Sequence, residues 1–221
     1  MQNFSFEKIH CNIFVCTSRN HRFGTDAVLL TEFSKYKPND LVCDLGTGCG
    51  IIPLAMCREN PPKKIYAVDI QENAIQQLRL GIEKSQIKNI VPICADLKLL
   101  WNCSDIGKFS LVTCNPPYFT EDSGFKSEIT SQLIARHEVL CNIYDVCKSA
   151  NRLLKFGGKL CMCNRPERLA DVITAMRSND IEPKVLQFVC KDSSSAPWLF
   201  LVEGKKGSKP SLKVLPNRYI C

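Results

Sequence analysis

From Leu41 onward, short apolar runs alternate with amphipathic stretches, a rhythm that predicts strands alternating with helices. The predicted strands are Leu41-Val42-Cys43-Asp44-Leu45, Ile65-Tyr66-Ala67-Val68, Val91-Pro92-Ile93-Cys94, Ser110 to Cys114 and Lys159-Leu160-Cys161-Met162-Cys163. Between and after them, helices are expected from Ile51 to Glu59, Glu72 to Lys84 and about Ser131 to Lys155, the last closed by Phe156-Gly157-Gly158. A further helix carries Leu169, Val172, Ile173 and Met176 on one face. Such alternation specifies a parallel sheet with helices on both faces. The runs Lys184 to Val189 and Trp198 to Val202 are separated by Lys191-Asp192-Ser193-Ser194-Ser195 with no helix between, and so read as an antiparallel pair at the sheet's edge. The expected fold is α/β and Rossmann-like, a mostly parallel seven-stranded sheet with an antiparallel edge strand.

Ahead of this core, Phe4, Phe6, Ile9, Ile13 and Val15 alternate with polar residues in short pieces, as in a β-hairpin. Thr25 is placed to cap a helix running from Asp26 to Phe33, with Asp26 favourable in its first turn, before Lys37-Pro38-Asn39-Asp40 stops it. No linker or repeat divides the chain. It reads as one domain over 1–221, with an extension over 1–40, a core over 41–203 and a basic segment over 204–221.

Composition narrows the partners. Hydrophobic content of 45% and charged content of 23% are ordinary for a globular domain, while a net charge of +7 favours a polyanionic partner. Fourteen cysteines would suggest disulfides in a secreted protein, but Met1-Gln2-Asn3-Phe4 begins no signal peptide and no apolar run approaches membrane-spanning length. The thiols are therefore expected to be reduced, in the cytoplasm, with no membrane. No Cys-x-x-Cys pair occurs, and Cys161 and Cys163 share one strand face as core filler, so no metal is expected.

Chemistry concentrates at the ends of the predicted strands. Asp44-Leu45-Gly46-Thr47-Gly48-Cys49-Gly50 joins the first strand to the first helix, where glycines let the backbone approach a ligand. A dinucleotide fingerprint would be Gly-x-Gly-x-x-Gly, whereas here the spacing is Gly-x-Gly-x-Gly with an acid just ahead. That acid would repel a pyrophosphate but pair with the ammonium of a methionyl group. Asp69, followed by Ile70, ends the second strand and is placed to take both hydroxyls of a ribose. Asp96, followed by Leu97, comes after the third and is placed to accept from an adenine amino group. Each acid alone could be a turn former. Together with Gly46, Thr47, Gly48 and Gly50 they point to S-adenosylmethionine, and Gly24-Thr25-Asp26 is placed to face the same cofactor.

After the fourth strand stands Asn115-Pro116-Pro117-Tyr118. An exocyclic amino group is a poor nucleophile because its lone pair is conjugated with the ring, and two acceptors aimed at its protons oppose that conjugation. The Asn115 side-chain oxygen is one such acceptor, and the Pro116 carbonyl, held by the fixed φ of consecutive prolines, is the other. Tyr118 offers a ring on which a planar base can stack. Asn115, Pro116 and Tyr118 are the catalytic candidates.

This order of features resembles the methyltransferases that act on amino nitrogen, over about Leu41 to Val202. Arg22-Phe23-Gly24-Thr25-Asp26-Ala27-Val28-Leu29-Leu30, Ala135-Arg136-His137-Glu138, and Val202-Glu203-Gly204-Lys205-Lys206-Gly207 through Val214-Leu215-Pro216 narrow the resemblance to the bacterial tRNA(Val) adenine-N6-methyltransferase family. The resemblance implies a class I methyltransferase, S-adenosylmethionine as cofactor, tRNA as partner, and methylation of the adenosine immediately 3′ of the anticodon by a monomer. The ending Asn217-Arg218-Tyr219-Ile220-Cys221 matches that family only loosely. Adjacent residues on a helix do not face each other, so His137 and Glu138 read as orienting or substrate-binding groups.

Release-factor glutamine methyltransferases share the Asn-Pro-Pro-Tyr pattern because an amide nitrogen poses the same problem, but they carry a sizeable helical domain ahead of the glycine loop where this chain has about forty residues. A ribosomal RNA guanine amino methyltransferase is a similar alternative. From outside catalysis comes an RNA-binding module that retains the fold, against which Asp44, Asp69 and Asn115 argue. Finally, Arg19, His21 and Arg22 near the start, with Lys205, Lys206, Lys209, Lys213 and Arg218 near the finish, are expected to form a basic rim for the anticodon arm at the carboxyl ends of the strands.

Overall fold

The protein is represented by a computed structural model that describes residues 4–18, 22–102, 107–116 and 142–220. Two strands, β1 (Ser5–His10) and β2 (Ile13–Thr17), form an antiparallel hairpin, followed by α1 (Thr25–Phe33). The core then alternates β3 (Leu41–Leu45), α2 (Ile51–Ala55), β4 (Lys64–Asp69), α3 (Glu72–Ser85), β5 (Ile90–Cys94), a 3₁₀ turn over Leu97–Asn102, and β6 (Phe109–Cys114). After the segment 117–141 come α4 (Ile143–Leu153), β7 (Leu154–Asn164), α5 (Leu169–Ser178), β8 (Ile181–Cys190), β9 (Leu199–Lys206) and the two-residue strands β10 (Lys213–Val214) and β11 (Arg218–Tyr219).

The main sheet runs β5-β4-β3-β6-β7-β9-β8, with β10 and β11 both pairing along the outer side of β8. Successive strands lead outward from β3 through β4 to β5, and then the chain returns to pair β6 with β3 on its other side. The reversal opens a crevice at the carboxyl ends of β3 and β6, where ligands bind in open α/β sheets. Central strands are apolar on both faces because both are covered. Val42 of β3 joins a cluster with α1, α2 and the hairpin residues Ile13 and Val15, while Cys43 and Leu45 join one with Val146, Ala150, Val172 and Met176 on the other side.

The hairpin belongs to this core. On α3, Ala74, Ile75, Leu78 and Gly81 are buried, a stripe at helical spacing that faces the sheet and the hairpin. At Gly81 an added Cβ would lie 3.0 Å from the Phe14 carbonyl, so glycine lets β2 approach. Phe14 N then donates to Ser85 Oγ at 2.9 Å, and the buried Gln77 Nε2 donates to the Cys16 carbonyl at 3.0 Å.

Several boundaries differ from expectation. The α2 helix stops at Ala55, short of Glu59, because Cys57 and Arg58 tighten into bonds with Leu54 and Ala55 before Asn60 turns to φ 48° ahead of two prolines. The α4 helix is opened by a capping box between Asn142 and Asp145, and the part of the expected helix from 131 to 141 lies outside the described residues. Phe156-Gly157-Gly158 does not close that helix. It lies within β7, where a Cβ on Gly158 would sit 2.8 Å from the Phe109 carbonyl of the neighbouring strand. The antiparallel strand is also not outermost: β9 is slotted between β7 and β8. Its run from Leu199 to Val202 is fully buried, which requires neighbours on both sides, whereas β8 is only partly buried and suits the outer place.

Candidate active site

Strand β3 delivers Asp44 to the floor of the crevice, fully buried. Parallel pairing places Thr113 of β6 opposite it, and Thr113 Oγ1 donates to Asp44 Oδ1 at 2.6 Å. The other oxygen, Oδ2, is buried without a hydrogen-bond partner among the described residues, as is Thr47 Oγ1 in the loop above. Burial pushes the Asp44 carboxyl up to about 7 and the neighbouring Asp69 charge adds to this, while the Thr113 hydroxyl and the nearby Thr47 hydroxyl, too poorly aligned for a full hydrogen bond, oppose it. A buried acidic oxygen without a well-formed hydrogen bond is a site for a donor or cation from a ligand.

The glycines divide into two kinds. Gly46 and Gly48 have φ of 69° and 55°, and an added Cβ at either would meet nothing within 4 Å, so they face open space. Gly50 also has a positive φ, 82°, but a Cβ there would lie 2.3 Å from Leu78 Cδ1, so it is glycine for packing on α3. Thr47 N donates to the Val68 carbonyl at 2.9 Å and Gly48 N to Asp69 Oδ2 at 2.8 Å, tying the loop to the end of β4.

Asp69 is buried, and its second oxygen accepts from Gln71 N at 2.9 Å. Both oxygens are therefore fixed by backbone donors while each keeps a further lone pair. Ile70 beside it is 46% exposed, an apolar surface at the crevice edge. Asp96 accepts from Lys98 N at 2.9 Å, and its carbonyl accepts from Leu99 N at 2.8 Å, so it opens the 3₁₀ turn. Leu97 is partly buried against the core cluster that contains Val146 and Ala150.

Asn115 lies just past β6, half-buried. Its Nδ2 donates to Asp26 Oδ2 at 3.0 Å, and its Oδ1 accepts from the Cys163 thiol at 3.2 Å. Because an ionised carboxylate only accepts, Asp26 orients the amide with nitrogen toward itself and oxygen away. Gly24 makes room: a Cβ there would lie 2.4 Å from Asp26 Oδ1. Gly24, and not Thr25, is the N-cap of α1; it makes no side-chain cap bond, and Thr25 is an exposed first helical residue.

The structure thus brings Asp26, Asp44, Gly46, Thr47, Gly48, Asp69, Asn115 and Pro116 to the carboxyl ends of β3, β4 and β6 and the start of α1. Tyr118, His137, Glu138, Arg19 and His21 lie outside the described residues. Two contacts were not foreseen. Thr113 stands two residues before Asn115 in a strand that also carries the polar Ser110, so nothing in the strand's own pattern marked it. Cys163 looks like core filler in sequence and is fully buried, yet its thiol reaches Asn115.

The expected basic rim is not where its lysines lie. Lys205 pairs with Lys159, which pairs with Leu111, four residues and ~13 Å below Asn115 along β6. Lys206 donates to the Leu154 carbonyl at 2.9 Å, and Lys209 follows Gly207, whose N–H bonds Asp180 at the opposite edge of the sheet. The tail then climbs beside β8, so that Arg218, paired with Val189, is the basic tail residue at the carboxyl edge. Among the described residues no three His, Cys, Asp or Glu side chains gather as a metal site, and no helix is long and apolar enough to cross a membrane.

A mostly parallel sheet reversing at β3 and β6, with an acid-led glycine loop and Asn-Pro at that reversal, is the arrangement of class I methyltransferases. Residues 15–176 match the family described as "Methyltransferase small domain", and the chain belongs to that family. A Parabacteroides distasonis tRNA1(Val) (adenine(37)-N6)-methyltransferase is 25% identical over 90% of this chain and 85% of its own. A Histophilus somni enzyme of the same description is 28% identical over 72% of this chain and 66% of its own. A release factor glutamine methyltransferase from Buchnera aphidicola is 32% identical over 70% of this chain, which spans 58% of that relative's length. Among solved structures, Atu636 of Agrobacterium tumefaciens, described as a predicted O-methyltransferase, matches with TM-score 0.67, 20% identity and 88% and 86% of the two chains. TrmN from Thermus thermophilus matches with TM-score 0.60, 20% identity and 81% of this chain against 48% of its own.

Proposed function

We propose that this protein methylates the exocyclic amino group of an adenosine in tRNA, the one immediately 3′ of the anticodon, using S-adenosylmethionine. The observation that carries the reading is the fixed amide of Asn115 just past β6, its nitrogen on Asp26 and its oxygen turned the other way. The orphaned Asp44 oxygen, the open faces of Gly46 and Gly48 and the doubly anchored Asp69 fit the proposed cofactor. In this reading Asp44 receives its ammonium and Asp69 its ribose hydroxyls. Asp96 receives the adenine amino group, with Ile70 and Leu97 flanking the ring and Thr25 at the outer edge.

Bound S-adenosylmethionine supplies an electrophilic methyl group on a sulfonium. Asn115 Oδ1 and the Pro116 carbonyl accept from the two amino protons of the target base, drawing its lone pair out of conjugation. Tyr118 stacks on the flipped base; as the nitrogen takes the methyl, the carbon–sulfur bond breaks and its electron pair leaves with the neutral thioether, and the nitrogen's surplus proton passes to water. The reading extends to a cytoplasmic monomer that needs no metal.

Similarity to the Buchnera enzyme supports a second reading, transfer to a glutamine amide of a release factor. The Parabacteroides match favours tRNA because it extends over 205 residues against 164. Incubation with methyl-labelled cofactor and either tRNA or release factor, followed by mass spectrometry, separates them. Label in 6-methyladenosine of tRNA is the expected result, and label only in the release factor would overturn it.

A further inference from the structure

The strands that flank Asn115 end in a strip of cationic and aromatic side chains that the cofactor site does not use. Register carries the level of Asn115 across the sheet: Cys114 pairs with Met162, the next residue Cys163 with Leu201, and Leu201 with Gln187. Just past that level, Arg165 follows Cys163 by two residues, with its guanidinium 5.6 Å from the Trp198 ring centre and Nη1 donating to the Trp198 carbonyl at 3.2 Å. Trp198 N in turn donates to the Val189 carbonyl at 3.0 Å, and Val189 and Cys190 pair with Arg218 and Tyr219 of β11. Lys191, exposed, comes next in the chain.

Edge protection explains why β11 lies on β8, but it does not explain the ring that β11 presents. Tyr219 is 47% exposed at the carboxyl edge, on a strand of only two residues. Arg218 holds that strand down through an ion pair with Glu32 of α1, the helix that also supplies Asp26. The strip from β6 through β7, β9 and β8 to β11 crosses four strand spacings, ~19 Å, the reach of a short stretch of single strand. Single-stranded RNA is held by this combination, a cationic track with aromatic faces on which unstacked bases rest.

We infer that Tyr219 and Lys191, beside the Arg165 guanidinium that covers the partly buried Trp198, form the surface that holds the RNA strand next to the target base. The lysines of 205–209 take no part in it. This inference rests on the proposed function, since it names how the same site grips its substrate. Stacking is nonspecific in base identity, so Tyr219 contributes grip and register rather than choice of adenosine.

The test is the affinity of a fluorescein-labelled tRNA(Val) anticodon stem-loop across a salt series, with methyl transfer to tRNA measured alongside. Tyr219→Ala is expected to weaken binding by about tenfold, while Tyr219→Phe, which keeps the ring, stays near wild type. Lys191→Gln should flatten the log–log salt slope by ~0.7–0.9 for the lost phosphate contact, and Lys205→Gln with Lys209→Gln should leave it unchanged. Affinity for S-adenosylmethionine should not move in any of them. If wild type methylates tRNA but Tyr219→Ala and Lys191→Gln bind the stem-loop as wild type does, the surface is elsewhere and the proposed function stands. A wild-type protein that neither binds nor methylates tRNA overturns both.

Discussion

Asn115 and Asp26, 89 residues apart, meet through one hydrogen bond of 3.0 Å from the Asn115 amide nitrogen to a carboxylate oxygen. The bond joins the N-terminal extension to the reacting end of β6. It fixes the Asn115 amide with its nitrogen toward Asp26 and its oxygen toward the Cys163 thiol. Under the proposed function Asp26 positions another residue, a role beside the cofactor contact expected from its sequence setting.

Asp26→Ala is expected to lower kcat on the order of 10–100-fold, the scale of one charge-assisted hydrogen bond that orients a transition-state contact. Affinity for S-adenosylmethionine should change by less than about threefold, since the fixed amide is lost and the cofactor's partners are kept. Isothermal calorimetry beside single-turnover rates checks the split. A large loss of cofactor affinity with an unchanged rate would return Asp26 to the cofactor site.

Asn115→Ala should cut the transfer rate by about 10²-fold or more, again with cofactor affinity nearly intact. Asp69→Ala should do the reverse, weakening cofactor binding by roughly 1.5–3 kcal/mol as its charge-assisted hydrogen bonds go. A rate for Asn115→Ala within a few-fold of wild type would reduce the residue to a turn former.

Two glycine substitutions should part company. Gly50→Ala combines a left-handed φ with a contact of 2.3 Å to Leu78, so it should lower stability by roughly 1–3 kcal/mol or more in urea unfolding. Gly48→Ala carries the φ strain of ~1–2 kcal/mol without a clash, but its methyl group enters the open space. Its cofactor affinity should fall by more than its stability accounts for.

Asp44 sets a pH dependence. Its carboxyl titrates near 7 when folded against ~3.9 unfolded, so between these values the folded state holds more protons. Stability without cofactor should accordingly fall as pH rises from about 4 to about 7, by up to ~1.4 kcal/mol per pH unit, and then level off. Asp44→Asn should flatten that profile in thermal melts. In wild type, cofactor affinity should rise with pH through the same window, because an ammonium partner favours the ionised acid.

The alternation of apolar runs and helical stripes specified the parallel sheet, and the acids Asp44, Asp69 and Asp96 were legible as strand-end groups from their positions alone. Asn115-Pro116 was legible as the end of a strand for the same reason, since an apolar run that meets Asn-Pro turns there. What the tertiary structure decided concerned groups distant in sequence. The Asp44–Thr113 bond depends on the register between β3 and β6, which no local pattern encodes. The Asn115 contacts with Asp26 and Cys163 depend on how α1 and β7 close over β6. The basic tail is the clearest case: composition placed its lysines beside the site, but β9 runs antiparallel and carries Lys205 and Lys206 to the far edge. Only the return of the chain along β8 brings Arg218 and Tyr219 back, because strand direction, and not sequence distance, determines which edge of a sheet a residue reaches.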